Sequence, residues 1–363
     1  MITKEQIREY ITQLGVCSVG FTHPGPFERL EKVLDERRSS GYLSGFEKGS
    51  LQERCCPCVH YDWVRSIIAV AYPYALYQNM QTMGLNGTIS GSATGEDYHR
   101  LLKSKLEQSA GYISERVEGF RYAIMVDTGP LADREVACRS GIGWYGKNCS
   151  IITPSSGSGV FLGEMLTNLE LEPDSPLEGD CGRCTRCIEN CPTGALVKPY
   201  TLDARKCISF LTQKRGVIPR EIRGKMGTSV YGCDRCLLSC PHNSSSSLCK
   251  GEENSVGLEE LVNMDRTEFD RRYRHSALGW RGLNLLKRNA VIALGNLGDK
   301  KGLGALKTAL EHPSPTIRGH AAWAVGQIDG ERAREMLTES LDCEKNEYVL
   351  KEVKAALEGL AQS

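Results

Sequence analysis

The sequence predicts a mixed α/β domain, then a cysteine-rich insert, then an all-helical C-terminal repeat domain. Three observations support this fold class. Amphipathic helices alternate with apolar strands up to about residue 175, eight of the 16 cysteines fall between residues 181 and 240, and a helical pattern recurs after residue 283. We expect the domains to span residues 1–175, 176–250 and 251–363, with the proline- and acid-rich stretch 171–180 as the first connection.

Composition is that of a soluble globular protein. Charged residues make up 25% of the chain and its formal net charge is +0, so no global field draws the whole molecule onto nucleic acid. A local basic patch is still compatible with this balance. No stretch approaches the roughly 20 apolar residues that span a bilayer, and the N-terminal segment has the pattern of an amphipathic helix rather than of a signal peptide. We expect a cytoplasmic protein.

The first domain contains helical and strand-like patterns in alternation. Residues 3–14 begin the series, with Ile7, Ile11 and Leu14 on one helical face. Further helices are predicted over residues 26–40 and 98–117, and strands over residues 18–22, 66–72, 122–126 and 159–168.

The C-terminal segment contains an internal repeat. Residues 285–299 resemble residues 316–330, which begin 31 positions later, and a fainter third copy covers residues 348–360. The positions that recur are Leu286, Ala290 and Gly295, found again as Ile317, Ala321 and Gly326. Helix pairs at this interval are typical of HEAT-like repeats, which stack to bury a continuous core. The alternative is an ordinary helical subdomain.

The cysteine spacing predicts two [4Fe–4S] clusters. Cys181, Cys184, Cys187 and Cys191 form a C-x2-C-x2-C-x3-C-P run, which is the bacterial ferredoxin pattern. A second run, C-x2-C-x3-C-P over residues 233–241, is one ligand short. In the ferredoxin arrangement the last cysteine of each run serves the other cluster, and Cys207, between the runs, is the candidate for the missing thiolate. The predicted sets are Cys181, Cys184, Cys187 and Cys240 for cluster one, and Cys191, Cys207, Cys233 and Cys236 for cluster two.

Structural zinc is the alternative for these cysteines, because paired C-x2-C motifs also bind Zn²⁺. Eight ligands in two runs that each end in Cys-Pro favour iron–sulfur clusters. The separate group Cys55, Cys56 and Cys58 has no partners at ligand spacing, and we leave it unassigned.

A bare ferredoxin would not need the preceding 175 residues, so we expect the chemistry to lie in the first domain. Asp127 directly follows the apolar strand pattern 122–126, and ligand sites of α/β sheets open at the carboxyl ends of strands. Glycines at 141, 143 and 146 allow close backbone approach to a ligand, and Lys147 and Asn148 add hydrogen-bond donors. By itself, Asp127 is equally well interpreted as a turn carboxylate in Asp-Thr-Gly-Pro.

Five segments together resemble the epoxyqueuosine reductase family. They are DTGPLADREVACRSGIGWYGKN, FLGEMLTN, CGRCTRCIENCPTGAL, RKCISFLT and YGCDRCLLSCPHN, at residues 127–148, 161–168, 181–196, 205–212 and 231–243. The resemblance extends over nearly the whole chain. It implies a cobalamin-dependent iron–sulfur enzyme, related to reductive dehalogenases, with a cobalamin-binding α/β domain and a ferredoxin-like double-cluster insert.

The resemblance also implies the reaction. The family reduces the epoxide of epoxyqueuosine to queuosine at the wobble position of tRNA, using base-off cobalamin fed by two clusters. Asp127 would be the proton donor, and we expect shielding from water to raise its pKa so that it stays protonated. The positions that would contact the corrinoid or lie beside it are Arg54, Asp97, Asp127, Lys147, Asn148, Ser209 and Phe210.

Two basic runs predict a tRNA-contacting surface despite the balanced net charge. One lies between residues 198 and 225 and the other between 271 and 288, where Tyr273 and Trp280 are interleaved. The candidate tRNA-binding residues are Lys214, Arg215, Arg281 and Arg288. We further expect an external electron donor such as flavodoxin or ferredoxin, no membrane contact and a monomer. The competing functions are a dehalogenase-like corrinoid enzyme on a small molecule and an iron–sulfur electron-transfer protein.

Overall fold

The computed structural model describes residues 2–77, 84–243, 248–249 and 253–362, and divides the chain into two compact units. The first unit comprises Met1–Leu76, Glu96–Cys207 and Arg235–Cys249; the second comprises Tyr77–Gly95, Ile208–Asp234 and Lys250–Ser363. The predicted division into three consecutive domains therefore differs from the observed one, because two internal segments group with the C-terminal helices. The boundary predicted at residue 250 lies outside the described residues.

The described strands and helices alternate irregularly along the chain. The strands are β1 (Ser18–Thr22), β2 (Ser66–Pro73), β3 (Leu76–Tyr77), β4 (Asn86–Ile89), β5 (Tyr122–Met125), β6 (Trp144–Tyr145), β7 (Ile151–Ile152), β8 (Val160–Thr167), β9 (Leu196–Lys198), β10 (Thr201–Leu202), β11 (Ser229–Tyr231), β12 (Leu248–Cys249) and β13 (Ser255–Gly257). The helices are α1 (Lys4–Gln13), α2 (Glu28–Ser39), α3 (Leu51–Cys55), α4 (Tyr98–Ser114), α5 (Asp133–Arg139), α6 (Arg186–Glu189), α7 (Ile208–Gln213), α8 (Arg220–Met226), α9 (Arg235–Leu238), α10 (Leu258–Asn263), α11 (Arg266–Tyr273), α12 (Leu283–Leu297), α13 (Leu303–Leu310), α14 (Pro315–Val325), α15 (Glu331–Cys343) and α16 (Glu347–Gln362). Every described helix falls short of the length and apolar character that crossing a membrane requires.

The first unit is built on a four-stranded sheet of order β1-β2-β8-β5. All three strand pairings are antiparallel. The parallel-sheet rule used to place a site after β5 therefore does not apply, although Asp127 does lie just beyond that strand. Side chains alternate between the faces of β2: Ile67 and Ala69 pack with α2 and α5, and Ile68 and Val70 pack with α1 and α4. The result is a helix–sheet–helix sandwich.

The second unit combines a three-stranded sheet, β11-β4-β13, with helices α10–α16. Helices α12, α14 and α16 contain the three sequence repeats and pack consecutively. A glycine recurs in the repeat because neighbouring helices pack too closely at this position to leave room for a side chain. A Cβ atom on Gly295 would lie 2.8 Å from Ala324, and one on Gly326 would lie 2.6 Å from Ala356. The repeat pattern in the sequence thus predicted the helical packing correctly.

Polar side chains of α12 explain why the segment Ile208–Asp234 belongs to the second unit. The Arg288 side chain donates hydrogen bonds to the backbone oxygens of Leu211, Lys214 and Gly216. Asn289 donates to the backbone oxygens of Thr212 and Val230, and both Asn289 and Arg288 are almost fully buried. Buried backbone oxygens require such partners, so these side chains fix the segment against the repeat helices.

A buried ion pair makes a second attachment. Arg223, on α8, is fully buried and binds Glu352 of α16 through two hydrogen bonds of 2.9 and 2.7 Å. Arg220 reaches the same carboxylate at 3.1 Å, but its side chain is 41% exposed. His320 accepts a hydrogen bond from the backbone N–H of Ile218, and burial together with the Arg223 charge lowers its pKa to about 3, which keeps the ring neutral. Arg223 falls within the basic run between residues 198 and 225, but its side chain lies in the core.

We predict that Arg223→Met destabilises the helical unit by about 3–5 kcal/mol, because it leaves the Glu352 carboxylate buried without its main partner. Arg220→Met is the matched control: it removes an exposed partner of the same carboxylate and should cost at most about 1 kcal/mol. Thermal unfolding followed by far-ultraviolet circular dichroism measures both. Equal melting temperatures for the two variants would contradict the assignment.

Candidate functional site

Asp127 occupies a tight turn at the end of β5. Its backbone has φ of +51°, and the Thr128 N–H donates to the backbone oxygen of Val126 across it. A turn of this kind with positive φ at its centre is rare and strained for a residue with a side chain. The Asp127 side chain is 62% exposed, and its Oδ2 accepts a hydrogen bond of 2.7 Å from the Tyr98 hydroxyl. The turn therefore presents the carboxylate at the surface of the first unit.

The start of α4 supplies the groups that face this carboxylate. Asp97 is the N-cap and accepts the backbone N–H of His99 at 3.0 Å, while its Oδ1 also lies 2.7 Å from His99 Nδ1. The other ring nitrogen, Nε2, is 3.5 Å from Asp127 Oδ2. The Tyr98 ring stacks on Phe161 of β8 with centroids 4.3 Å apart, which directs its hydroxyl. The structure thus brings the predicted Asp97 and Asp127 together through an imidazole.

These contacts shift the pKa values of His99 and Asp127. Burial alone would lower the pKa of His99, but the neighbouring Asp127 and Asp97 carboxylates raise it above its ordinary value. The interaction with His99 lowers the pKa of Asp127 and, with the hydrogen bond from Tyr98, outweighs the opposing effect of burial. The expectation of a raised pKa for Asp127 is therefore wrong, because its pKa lies below the ordinary value and that of His99 lies above it.

A second pair of carboxyl groups lies behind the turn. Asp133, the first residue of α5, accepts the backbone N–H of Asp127 at 2.8 Å, and its carboxyl group lies close to that of Glu164 of β8. Burial, and then the Asp127 charge, raise the pKa of Asp133 to about 6. Burial, followed by the nearby Asp133 charge, raises the pKa of Glu164 well above its usual range.

Four of the predicted cluster ligands line one cavity of the first unit. Cys181, Cys184, Cys187 and Cys240 converge there, together with Lys147 and His242. Burial, and then proximity to Cys181, raise the pKa of Cys187; burial and the same neighbour contribute to the raised pKa of Cys240. A donor set of four cysteines fits a [4Fe–4S] cluster.

Lys147 and Asn148 belong to the wall of this cavity. The Lys147 ammonium donates to the backbone oxygens of Gly182 and Cys184 at 2.6 and 2.9 Å, so it fixes the loop between two cysteines. Asn148 is buried; its Oδ1 accepts the Ser150 N–H, and within the described part of the chain its Nδ2 has no hydrogen-bond partner. Their predicted corrinoid contact stays a prediction.

The other four predicted cluster ligands are divided between the units. Cys191, Cys207 and Cys236 lie in the first unit and Cys233 in the second. Burial would raise the pKa of Cys191, but backbone N–H groups of Leu196, Ala195 and Thr193 and the Thr193 hydroxyl together lower it. Such N–H donors stabilise the thiolate form that ligates iron. Ser209 and Phe210 lie in α7 of the second unit.

Of the candidate tRNA-binding residues, Lys214 and Arg215 are exposed, and Arg281 is half-buried beside the Trp280 ring. Arg288 is 2% exposed, and its guanidinium nitrogens hydrogen-bond backbone oxygens and Asn289 Oδ1. Its five N–H groups are thus fully used inside the protein. The prediction that Arg288 binds tRNA is wrong, because a single sequence does not distinguish a buried arginine from an exposed one.

Sequence reasoning also missed Tyr98, His99, Asp133 and Glu164. A signal was present for His99, since the pattern Asp-x-His at a predicted helix start places both residues at one helix end. Glu164 also had a signal, because it is the only charged residue within the otherwise apolar strand pattern 159–168.

Comparison with protein-family models gives three matches. Residues 54–128 match "Epoxyqueuosine reductase QueG", residues 180–243 match a "4Fe-4S double cluster binding domain", and residues 284–358 match "HEAT repeats". The last two confirm the predictions of a double-cluster insert and of C-terminal repeats.

Full-length relatives are similar throughout. An epoxyqueuosine reductase from Bacillus cereus is 38% identical and covers 99% of this chain and 98% of its own length. That from Bacillus subtilis is 40% identical, over 99% of this chain and 96% of its own, and that from Escherichia coli is 39% identical over 89% of each.

Solved structures of similar proteins superpose closely. An epoxyqueuosine reductase crystallised with an epoxyqueuosine-modified tRNA-Tyr stem loop has a TM-score of 0.92 and 38% identity, covering 99% of this chain and 98% of its own. A structure of the Bacillus subtilis enzyme, described as having its catalytic aspartate loop swung out of the active site, has a TM-score of 0.91 and 38% identity, over 98% of each chain.

We predict that Cys240→Ser removes the iron of one cluster and leaves the other. Iron content should fall by about half, with a matching loss of the thiolate-to-iron absorbance, because a cluster of this kind needs four thiolates. Cys343→Ser, at an exposed cysteine outside both runs, is the control and should leave both unchanged. Full iron content in Cys240→Ser would remove Cys240 from the ligand set.

Proposed function

The chain belongs to the epoxyqueuosine reductase family, and from this we propose that it reduces epoxyqueuosine to queuosine at the wobble position of tRNA. The observation that carries the proposal is the exposed Asp127–His99–Tyr98 group within a chain that matches a double-cluster domain. The reaction converts an epoxide into an alkene and water, and consumes two electrons and two protons. The cysteines account for electron delivery, and the Asp127 group accounts for proton delivery.

The proposed cofactors are two [4Fe–4S] clusters and cobalamin. Cysteines 181, 184, 187 and 240 would hold cluster one, and cysteines 191, 207, 233 and 236 cluster two. When bound, low-valent cobalt supplies the reducing equivalents for breaking the carbon–oxygen bond, which no side chain can provide. We further propose an external one-electron carrier as the reductant of the clusters, a cytoplasmic location and a monomeric enzyme.

A group of arginines in the first unit fits an anionic part of the corrinoid. Burial is the main cause that lowers the pKa values of Arg37 and Arg54; the charge of Arg134 lowers both further, and the charge of Arg37 also lowers that of Arg54. Glu47 is the carboxylate that opposes this effect, and no described residue forms a hydrogen bond with the buried Nε of Arg37. Cobalamin carries a phosphate in its nucleotide loop, so this excess of positive charge supports the predicted role of Arg54. The other proposed contacts are Asp97, Asp127, Lys147, Asn148, Ser209 and Phe210.

The protons are supplied by the side chains around Asp127. His99 is hydrogen-bonded to Asp97 and lies beside the Asp127 carboxylate, and the two carboxylates raise the pKa of its imidazole above the ordinary value. The imidazolium transfers a proton to Asp127, which lies 3.5 Å away, and Asp127 passes it to the departing epoxide oxygen. Tyr98 holds the receiving carboxylate in place through its 2.7 Å hydrogen bond. Asp127 thus acts as the terminal donor of a pair rather than as an isolated protonated acid.

The surface proposed to contact tRNA lies in the second unit. Lys214 and Arg215 are exposed on the turn after α7, and Trp280 is 54% exposed next to Arg281. Exposed cations bind phosphates, and an exposed indole offers a face on which a nucleotide base can stack. In place of Arg288, which is buried, we propose that Trp280 and Arg281 make the second part of this surface.

Conversion of epoxyqueuosine tRNA by the protein, reconstituted anaerobically with iron, sulfide and cobalamin, tests the proposed reaction. We predict that Asp127→Asn lowers kcat by about 100-fold or more, because an amide cannot carry the transferred proton. Cluster and cobalamin absorbance should be unchanged in this variant. Full activity of Asp127→Asn would refute its role as donor, whereas an inactive wild-type protein with both cofactors bound would refute the reductase assignment.

We predict that reversing both charges in Lys214→Glu/Arg215→Glu weakens tRNA binding and reduces its salt dependence, since two phosphate contacts are lost. The slope of log affinity against log salt should become shallower by about two. The matched control is Lys351→Glu/Lys354→Glu, which makes the same charge change at exposed positions of α16. Equal effects of the two double variants would indicate a general charge effect and not a binding surface.

A further inference from the structure

The buried carboxyl pair behind Asp127 has no function in the reaction proposed above. Glu164 lies near the middle of β8, which is an inner strand of the four-stranded sheet, paired with Ala69 of β2 and Met125 of β5. It is 1% exposed, and its Oε1 has no hydrogen-bond partner among the residues that the structure describes. An ionised carboxylate in such a place is strongly unfavourable, and a neutral polar group still requires a reason to be there.

The reason is found in its contact with Asp133. Asp133 begins α5, which packs on β8, and its carboxyl group lies close enough to that of Glu164 to raise the pKa of Glu164, so that one of the two stays protonated. Glu164 is the more buried of the two, so it is the neutral partner and donates its O–H. Asp133 accepts this hydrogen bond and remains free to accept a second one with its Oδ2.

That second hydrogen bond fixes the catalytic turn. Asp133 Oδ2 accepts the backbone N–H of Asp127 at 2.8 Å. The Asp127 backbone has φ of +51°, which an L-residue adopts only at a cost, so the turn is stable only when neighbouring groups hold it. The solvent-facing contacts from Tyr98 and His99 restrain only the side chain, whereas Asp133 restrains the backbone.

We propose that Glu164 and Asp133 form a buried latch that holds the Asp127 turn in its proton-donating position. Glu164 donates to Asp133, and Asp133 accepts the Asp127 N–H. Both are positioning residues: neither touches the substrate, and both act through Asp127. The inference rests on the proposed function for its catalytic consequence, but not for the position of the turn itself.

The test removes the hydrogen-bond donor at position 164 in one variant and restores a donor there in another. Glu164→Leu keeps the residue's bulk and removes the O–H, while Glu164→Gln places an N–H donor in the same position. Asp133→Ala removes the acceptor and gives a second route to the same state. Glu118→Leu, at an exposed glutamate after α4, is the matched control for the change of charge and polarity.

Hydrogen exchange of the peptide covering residues 126–133, measured by mass spectrometry on the reconstituted protein, reports the turn. In Glu164→Leu and Asp133→Ala the exchange should be faster by roughly fivefold or more, as expected for the loss of one hydrogen bond. For epoxyqueuosine tRNA, kcat should fall by up to about 100-fold while KM stays constant, because only the donor is misplaced. Glu164→Gln should restore both quantities to near the wild-type values.

Unchanged exchange and unchanged kcat in Glu164→Leu would overturn the latch. So would a Glu164→Gln variant that exchanges normally yet is as slow as Glu164→Leu, since Glu164 would then supply a proton instead of a position. If the wild-type protein with both cofactors bound does not reduce epoxyqueuosine, the proposed function fails. The exchange measurement still decides the latch in that case.

Discussion

The line of polar contacts from Asp97 through His99 to Asp127, a hydrogen bond followed by a 3.5 Å ion-pair contact, is the interaction on which the candidate active site depends. It joins the N-terminus of α4, which packs on the four-stranded sheet, to the end of the edge strand β5 of that sheet. The same line determines where the proton resides, because two carboxylates around one imidazole raise its pKa and lower that of Asp127. Fold and acid–base chemistry are therefore set by the same three side chains.

Buried charged side chains hold the second unit together in a comparable way. Arg288 and Arg223 are both in the core, and each satisfies its guanidinium with backbone oxygens or a carboxylate. Both fix the segment that follows Cys207 and ends just after Cys233, two predicted ligands of cluster two. The repeat helices thus hold in place both the segment between these cysteines and the proposed tRNA-contacting surface. These hydrogen bonds explain why the segment groups with the helices rather than with the remaining cysteines.

The sequence predicted local structure well and long-range grouping poorly. Helix α4, strand β2 and the repeat helices begin within two residues of their predicted positions, because periodicity reports a local backbone pattern. The cavity lined by Cys181, Cys184, Cys187 and Cys240 agrees with the arrangement read from the spacing. The two-unit division could not be predicted, since it depends on buried hydrogen bonds from α12. The lowered pKa of Asp127 could not be predicted either, since it depends mainly on His99, nearly 30 positions earlier in the chain.

The polar side chain inside the sheet is explained by the contacts that it makes. A glutamate in the middle of an inner strand costs stability, and a fully apolar β8 would pack at least as well. Its retention is explained only by what it contacts: Asp133, and through Asp133 the backbone of Asp127. A donor turn that must face solvent to meet a tRNA base has few apolar contacts of its own to hold it. A neutral carboxyl group behind the turn supplies a directional restraint without adding a charge that would compete with His99 for the proton.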